Sequence, residues 1–158
     1  MMSTYEPWNE ARGAAIIAEH GKLEGATLVI LHAMQHAFGY VPEPAIPMIA
    51  SALSLSRAEV HGVFTFYHDF RSEPAGRHVL KLCRAEACQA AGGDALAAHA
   101  EAKLGISIGN TTADSRVTLE PIYCLGLCAT APSAMLDSRV VGRLDETRLD
   151  ALVAEAQR

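Results

Sequence analysis

The chain has four cysteines, and they form two close pairs that lie far apart in the sequence. The pairs are Cys83-x4-Cys88 and Cys124-x3-Cys128, and 35 residues separate them. A site that uses all four thiols needs a fold that brings two chelating loops together. The intervening segment is long enough for a helix and a strand. The cysteines therefore indicate one four-thiolate site that is built by the tertiary structure.

Three kinds of site use cysteines in this way: structural disulfides, a structural zinc and an iron-sulfur cluster. Disulfides are typical of small secreted chains, whereas this chain begins MMSTYE, without the basic stretch and apolar run of a secretion signal. Zinc usually takes Cys-x2-Cys knuckles, and both spacings here are longer. A 2Fe-2S cluster holds two irons, so each pair can ligate its own iron through a wider loop. The spacings favour the cluster, with zinc and disulfides as alternatives.

A cluster of this kind carries a negative charge that the protein must offset. Four thiolates, two sulfides and two ferric ions sum to two negative charges, which become three when one electron enters. Gly126, between Cys124 and Cys128, can adopt a positive φ and turn backbone N–H groups inward. Arg84, next to Cys83, either adds a cation to the site or is an ordinary surface arginine.

Composition and charge limit the partners of the chain. Its 158 residues are 50% hydrophobic and 20% charged, which fits one globular domain or two small ones. The formal net charge is −5, so we expect no nucleic-acid partner. No apolar stretch approaches the roughly 20 residues that span a bilayer, so we expect no direct membrane insertion. These features predict a cytoplasmic protein.

The sequence changes character near Pro74-Ala75-Gly76. Residues 8–70 have the pattern of successive helices with breakers between them, and strand signals appear only after this point. We therefore predict an N-terminal helical domain over residues 1–75 and a second domain over residues 76–158.

Two helices in the first part have clear signals. One carries apolar residues at helical spacing up to Phe38, and Gly39 suits its left-handed end. The other has the capping box Ser56-Arg57-Ala58-Glu59, which predicts a helix starting at Ser56. An apolar stripe follows and is expected to face the core: Val60, Val63, Phe64 and Tyr67.

The second part alternates strands and helices. Strands are predicted at residues 79–82, 117–122, 132–136 and 139–141, with helices beginning at residues 92–94 and near Asp145. Both cysteine loops follow a strand, so they should lie at one edge of the sheet. This order is that of a thioredoxin-like domain. The predicted fold class is α+β, with an N-terminal helical bundle followed by a thioredoxin-like α/β domain carrying the cluster.

Four features of the sequence carry a resemblance to a known family. They are the cysteine pairs, their 35-residue separation, the CLGLC stretch at 124–128 with Pro132, and residues 31–42 (LHAMQHAFGYVP). The chain resembles the thioredoxin-like 2Fe-2S ferredoxin family that includes the 24 kDa subunit of respiratory complex I. The resemblance implies one 2Fe-2S cluster, no catalytic residue in this chain, and a partner subunit that binds FMN and NAD. The implied ligands are Cys83, Cys88, Cys124 and Cys128.

Within the family, residues 66–71 (FYHDFR) and 83–88 (CRAEAC) look most like the gamma subunit of cytosolic NAD-dependent formate dehydrogenases. That likeness implies a large catalytic subunit with a molybdenum or tungsten pterin and further iron-sulfur clusters. The chain would then be a non-catalytic electron-transfer subunit of an oxidoreductase complex that couples formate oxidation to NAD reduction.

The sequence is also compatible with other functions. One is a 24 kDa-type subunit of respiratory complex I or of an NAD-reducing hydrogenase. Another is a zinc-stabilised interaction module without a redox role. A dithiol oxidoreductase is disfavoured because the chain has no Cys-x2-Cys motif at a helix start.

Overall fold

The computed structural model describes residues 5–158, which divide into two compact units, residues 5–74 and Ala75–Arg158. The first four residues of the amino-terminal segment, and of the predicted domain 1–75, lie outside the described residues. Each unit has a hydrophobic core of its own. None of the helices in the described part of the chain has the length and apolar character needed to cross a membrane.

The first unit consists of four helices. They are α1 (Glu10–His20), α2 (Ala26–Phe38), α3 (Ala45–Leu53) and α4 (Arg57–Phe66). Helix α2 supplies much of the core, since Ile30, Leu31, Met34 and Phe38 are buried. It ends at Gly39, which takes the predicted left-handed conformation with φ of 81°.

Helix α4 begins as predicted but is less buried than predicted. Ser56 and Glu59 form the capping box, and Val60 is fully buried. The predicted stripe is wrong at its last position, because Tyr67 is 44% exposed. The chain leaves the helical conformation at Tyr67, where ψ is 106°, so this side chain does not lie on the face of Val60.

The second unit is a four-stranded mixed sheet with helices packed against it. Its strands are β1 (His78–Cys83), β2 (Val117–Ile122), β3 (Ala134–Leu136) and β4 (Arg139–Val141). Its helices are α5 (Glu86–Ala90), α6 (Gly93–Leu104) and α7 (Glu146–Ala156), with a 3₁₀ turn at Cys128–Thr130. The strand order is β2-β1-β3-β4; β1 and β2 are parallel, and the other neighbours are antiparallel.

One core joins the sheet to α6 and α7. Leu80 and Leu82 of β1 point into it, together with apolar side chains of both helices. The strands at 117–122 and 139–141 match the prediction, whereas β3 begins at Ala134 rather than at residue 132. Helix α5 and the 3₁₀ turn were not predicted, because each is a short element inside a cysteine loop. The predicted α+β, thioredoxin-like fold class is confirmed.

Candidate metal centre

Both cysteine loops leave the sheet at the same edge. Cys83 is the last residue of β1, and Cys124 follows the end of β2 after one intervening residue, Tyr123. Because β1 and β2 are parallel, with Cys83 opposite Ile122, their carboxyl ends lie side by side. The backbone N–H of Arg84 continues this pairing by donating to the Ile122 carbonyl at 2.8 Å. The strand pairing therefore places the two loops next to each other.

The first cysteine pair is buried. The exposed fraction is 4% for Cys83 and 2% for Cys88. Helix α5 carries Cys88, and the Cys88 N–H donates to the carbonyl of Ala85 at 3.0 Å. The short helix thus turns the chain back after β1, and both thiols of the first pair are buried.

The second pair is exposed and closely spaced. The Sγ atoms of Cys124 and Cys128 are 3.7 Å apart. Two thiolates on one tetrahedral metal, with metal–sulfur bonds of about 2.3 Å, lie about 3.8 Å apart. This pair therefore already has the separation that one metal ion requires of two ligands.

The second loop has an unusual backbone. Gly126 has φ of 76°, and its N–H donates to the Cys124 sulfur at 3.3 Å, in line with the role predicted for this glycine. Cys124 itself has φ of 86°, which a residue with a side chain rarely adopts and which costs about 1–3 kcal/mol. Nothing in the sequence predicts this backbone conformation of Cys124. The strained residue is itself a candidate ligand.

The pKa of the Cys83 thiol depends on groups from both cysteine loops. Burial acts to raise the pKa of this thiol, yet the net pKa lies below its ordinary value. The hydrogen bonds that lower the pKa come from the Ala85 N–H, the Cys88 side chain, the Cys124 N–H and the Ser133 side chain. The Cys124 N–H belongs to the second loop, so groups of both loops contribute to the pKa shift of Cys83.

Cys128 shows the opposite shift. Its hydrogen bond to Cys124 and the negative charge of that neighbour raise the pKa of the Cys128 thiol, and burial and the charges of Cys88 and Cys83 add to the effect. The four sulfurs are therefore close enough to oppose one another's ionisation. A positively charged metal centre favours four thiolates at such a site, because metal binding removes the thiol protons.

The thiols do not converge on a single point. Among residues 5–158, no three His, Cys, Asp or Glu side chains are grouped to hold a metal ion. A zinc bound by four cysteines would require all four sulfurs within about 3.8 Å of one another. Two neighbouring pairs instead fit a cluster with two irons, each bound by one pair. The donor set and its arrangement thus suit a 2Fe-2S cluster better than a single zinc.

Three residues around the cysteines are placed by the tertiary structure. Ser133 is 2% exposed, and its Oγ lies 3.5 Å from the Cys88 sulfur. Gly93 begins α6 against the backbone of Cys88. Arg84 pairs with Asp94 in the first turn of α6 at 3.0 Å, which holds its guanidinium against that helix. Of these residues, only Arg84 was predicted; the sequence has no signal for Ser133 beside Cys88 or for the contact of Gly93.

Fold and site together define a class: a thioredoxin-like domain with a four-thiol site at the carboxyl edge of its sheet, as in 2Fe-2S ferredoxins. Comparison with protein families agrees. The model of the family described as "Thioredoxin-like 2Fe-2S ferredoxin" matches residues 13–157. The chain belongs to this family, and its cofactor is one 2Fe-2S cluster.

Curated relatives belong to larger oxidoreductases. The chain is 38% identical over 117 residues to the E subunit of the NADH-quinone oxidoreductase of Pseudomonas aeruginosa, covering 74% of this chain and 70% of the relative. It is 32% identical over 132 residues to the HndA subunit of the NADP-reducing hydrogenase of Solidesulfovibrio fructosivorans, covering 84% of this chain and 77% of the relative.

A solved structure has the same fold. The crystal structure of an NAD+-reducing NiFe-hydrogenase in the air-oxidised state superposes with a TM-score of 0.67 at 32% identity. The match covers 80% of this chain but 22% of the hydrogenase chain. This chain thus corresponds to a small part of that longer chain.

Proposed function

We propose that Cys83, Cys88, Cys124 and Cys128 ligate one 2Fe-2S cluster, and that the chain is a non-catalytic electron-transfer subunit of an NAD-linked oxidoreductase complex. One observation carries the proposal. The two cysteine pairs leave parallel strands at one edge of the sheet, where Cys83 lies opposite Ile122 and the Arg84 N–H donates to the Ile122 carbonyl at 2.8 Å.

The burial of the site supports a role in electron transfer. Cys83 and Cys88 are buried in the protein, whereas Cys124 and Cys128 are exposed. Tyr123, next to Cys124, is 75% exposed. A cluster held in this way has one side shielded from water and one side open to a redox partner. Its potential should lie near that of plant-type 2Fe-2S ferredoxins, about −400 mV.

The partner is proposed from the named relatives. The three proteins above share one property in their names, which is reaction with a nicotinamide nucleotide: NADH, NADP or NAD+. A one-electron cluster exchanges electrons with a nicotinamide, which takes up a hydride, through a flavin that handles both one and two electrons. The proposed neighbour is therefore a subunit that binds FMN and NAD.

The finer proposal is a cytosolic NAD-dependent formate dehydrogenase. It rests on the likeness of residues 66–71 and 83–88 to the gamma subunit of those enzymes. In such a complex, a large catalytic subunit with a molybdenum or tungsten pterin oxidises formate to carbon dioxide, one proton and two electrons. Further iron-sulfur clusters and FMN pass the electrons to NAD+, which takes up one proton to become NADH.

A second candidate is membership of an NADH-quinone oxidoreductase or of an NAD(P)-reducing hydrogenase. The names of the relatives favour it, including a further NADH-quinone oxidoreductase component, from Rhizobium meliloti, that is 37% identical over 139 residues. The cysteine site is the same in both proposals, so it does not distinguish between them.

Two experiments test these proposals. The purified chain should be red-brown, contain two irons and two sulfides, and give an EPR signal after reduction with dithionite. A colourless protein with one zinc would overturn the cluster. The complex isolated from its native cells through a tag on this chain should reduce NAD+ with formate. Quinone reduction by NADH, or NAD(P)+ reduction by hydrogen, would instead establish the second candidate.

A further inference from the structure

Among residues 5–158, two polar side chains are buried, Thr118 and Ser133. The Thr118 hydroxyl has structural partners: it accepts from the Gly76 N–H at 2.6 Å and pairs with the Thr111 hydroxyl at 2.7 Å. The Ser133 hydroxyl instead faces sulfur, since its Oγ lies 3.5 Å from the Cys88 Sγ. A buried hydroxyl is costly unless it forms hydrogen bonds, so its partner identifies its role.

The position of Ser133 is set by the backbone around it. Its carbonyl accepts a hydrogen bond from the Cys83 N–H at 3.0 Å, and the next residue, Ala134, pairs with Leu82 in the sheet. Strand pairing thus holds the Ser133 hydroxyl beside the buried Cys88 sulfur.

The direction of the hydrogen bond follows from the chemistry of the bound state. A cysteine sulfur that ligates iron carries no proton, so it can only accept, and the serine hydroxyl must donate. Reduction adds one negative charge to the cluster and its ligands. A donor on a ligand sulfur stabilises the reduced form more than the oxidised form, and burial strengthens this effect.

We propose that Ser133 tunes the cluster: its hydroxyl donates a hydrogen bond to the Cys88 sulfur and raises the reduction potential. The proposal rests on the proposed ligation of the cluster by the four cysteines. It makes Ser133 a positioning residue that acts through the ligand sulfur. Ser133 has no part in holding the iron.

The first test is a redox titration of the full chain, followed by EPR. S133A should keep two irons and two sulfides. At a fixed solution potential, its ratio of reduced to oxidised cluster should fall by up to about tenfold, which corresponds to about 59 mV for a one-electron couple. The matched control is T130V, because the Thr130 hydroxyl donates to the Leu127 carbonyl at 3.3 Å and not to sulfur. Its titration should match the wild type.

The second test does not depend on the alanine variant. Proton ENDOR of the reduced wild-type cluster in H2O and D2O should show an exchangeable proton coupling that S133A lacks and S133T keeps. S133T should also restore the potential. If S133A does not bind the cluster, the potential of S133T and the ENDOR spectrum of the wild type test the proposal instead.

Several outcomes would overturn the proposal. One is an S133A variant that binds the cluster and has the wild-type potential and the wild-type ENDOR couplings. Another is a wild-type ENDOR spectrum that lacks the exchangeable proton coupling expected in both the wild type and S133T. In either case the cluster and the proposed function would stand. A wild-type chain that binds no iron would overturn the proposed function first, and the role of Ser133 with it.

Discussion

Gly93 packs so closely against Cys88 that a Cβ atom on Gly93 would lie 2.6 Å from the Cys88 carbonyl oxygen. The same atom would lie 3.6 Å from the Cys83 carbonyl oxygen. Gly93 is the first residue of α6, and Cys88 belongs to the short helix before it. The start of α6 therefore supports the backbone of the first cysteine loop, and a side chain at Gly93 would displace that loop.

We predict that G93A lowers the free energy of unfolding by about 1–3 kcal/mol, because the backbone of Cys88 must move away from the added methyl group. Iron content after reconstitution should fall as well, because the Cys88 thiol moves with its backbone. Thermal melts and iron analysis of the same samples measure both effects.

The matched control for that variant is G62A in α4. Nothing lies within 4 Å of a Cβ added at Gly62, so the new methyl group meets open space. Alanine is the better helix former, and G62A should leave stability unchanged or raise it by about 0.5–1 kcal/mol. Equal stabilities of G93A and G62A would contradict the proposed contact between Gly93 and Cys88.

Substitutions at Gly126 in the second cysteine loop should lower stability when the new residue disfavours the left-handed backbone conformation. Gly126 has φ of 76° with open space around its Cβ position, so G126A strains the backbone without a clash. We expect a loss of about 1–2 kcal/mol and slower reconstitution of the cluster. Asparagine tolerates this conformation better, so G126N should lie between G126A and the wild type. An unaffected G126A would show that the loop can form with another conformation at this position.

Thiol reactivity should follow burial in the reduced, metal-free chain. Cys124 and Cys128 are exposed, and Cys83 and Cys88 are buried. Iodoacetamide should therefore modify the first two at least about tenfold faster than the last two, as followed by mass spectrometry of peptides. Reconstitution with iron and sulfide should protect all four. Equal rates at all four positions would show that the metal-free chain does not keep the buried pair closed.

Acid should weaken one charged cluster in the second unit. Hydrogen bonds from Lys103, at 2.6 Å, and from His99, at 2.8 Å, hold the pKa of Asp150 below its ordinary value. A carboxyl with a lowered folded-state pKa contributes stability above its unfolded pKa of about 3.9, and loses it as the pH falls through the folded pKa.

D150N should therefore be less stable than the wild type at pH 7, and the difference should shrink below about pH 4. The effect is modest, because these side chains are partly exposed. Urea denaturation of both proteins between pH 7 and pH 3 measures it. A difference that is constant over this range would mean that the Asp150 charge is not the cause.

Much of the fold could be predicted because its signals are local. The capping box at Ser56 and the last helix, which Asp145 caps, depend on residues within one turn of each other. The strand at 117–122 has the same bounds in the structure. The prediction failed at Tyr67, where the helical pattern continues but the chain leaves the helix. Helix α5 was missed because its five residues are too few for a periodic signal.

The sequence by itself favoured an iron-sulfur cluster over zinc or disulfides, because the number and spacing of the cysteines restrict the metals that they can bind. It also placed both cysteine loops after strands. Only the tertiary structure decided that Cys83 and Cys88 are the buried pair and that Ser133 lies beside them. The reason is physical: Ser133 and Cys88 are 45 positions apart, and the pairing of β1 with β3 brings them together. Burial depends on such distant contacts, and no local pattern of residues encodes them.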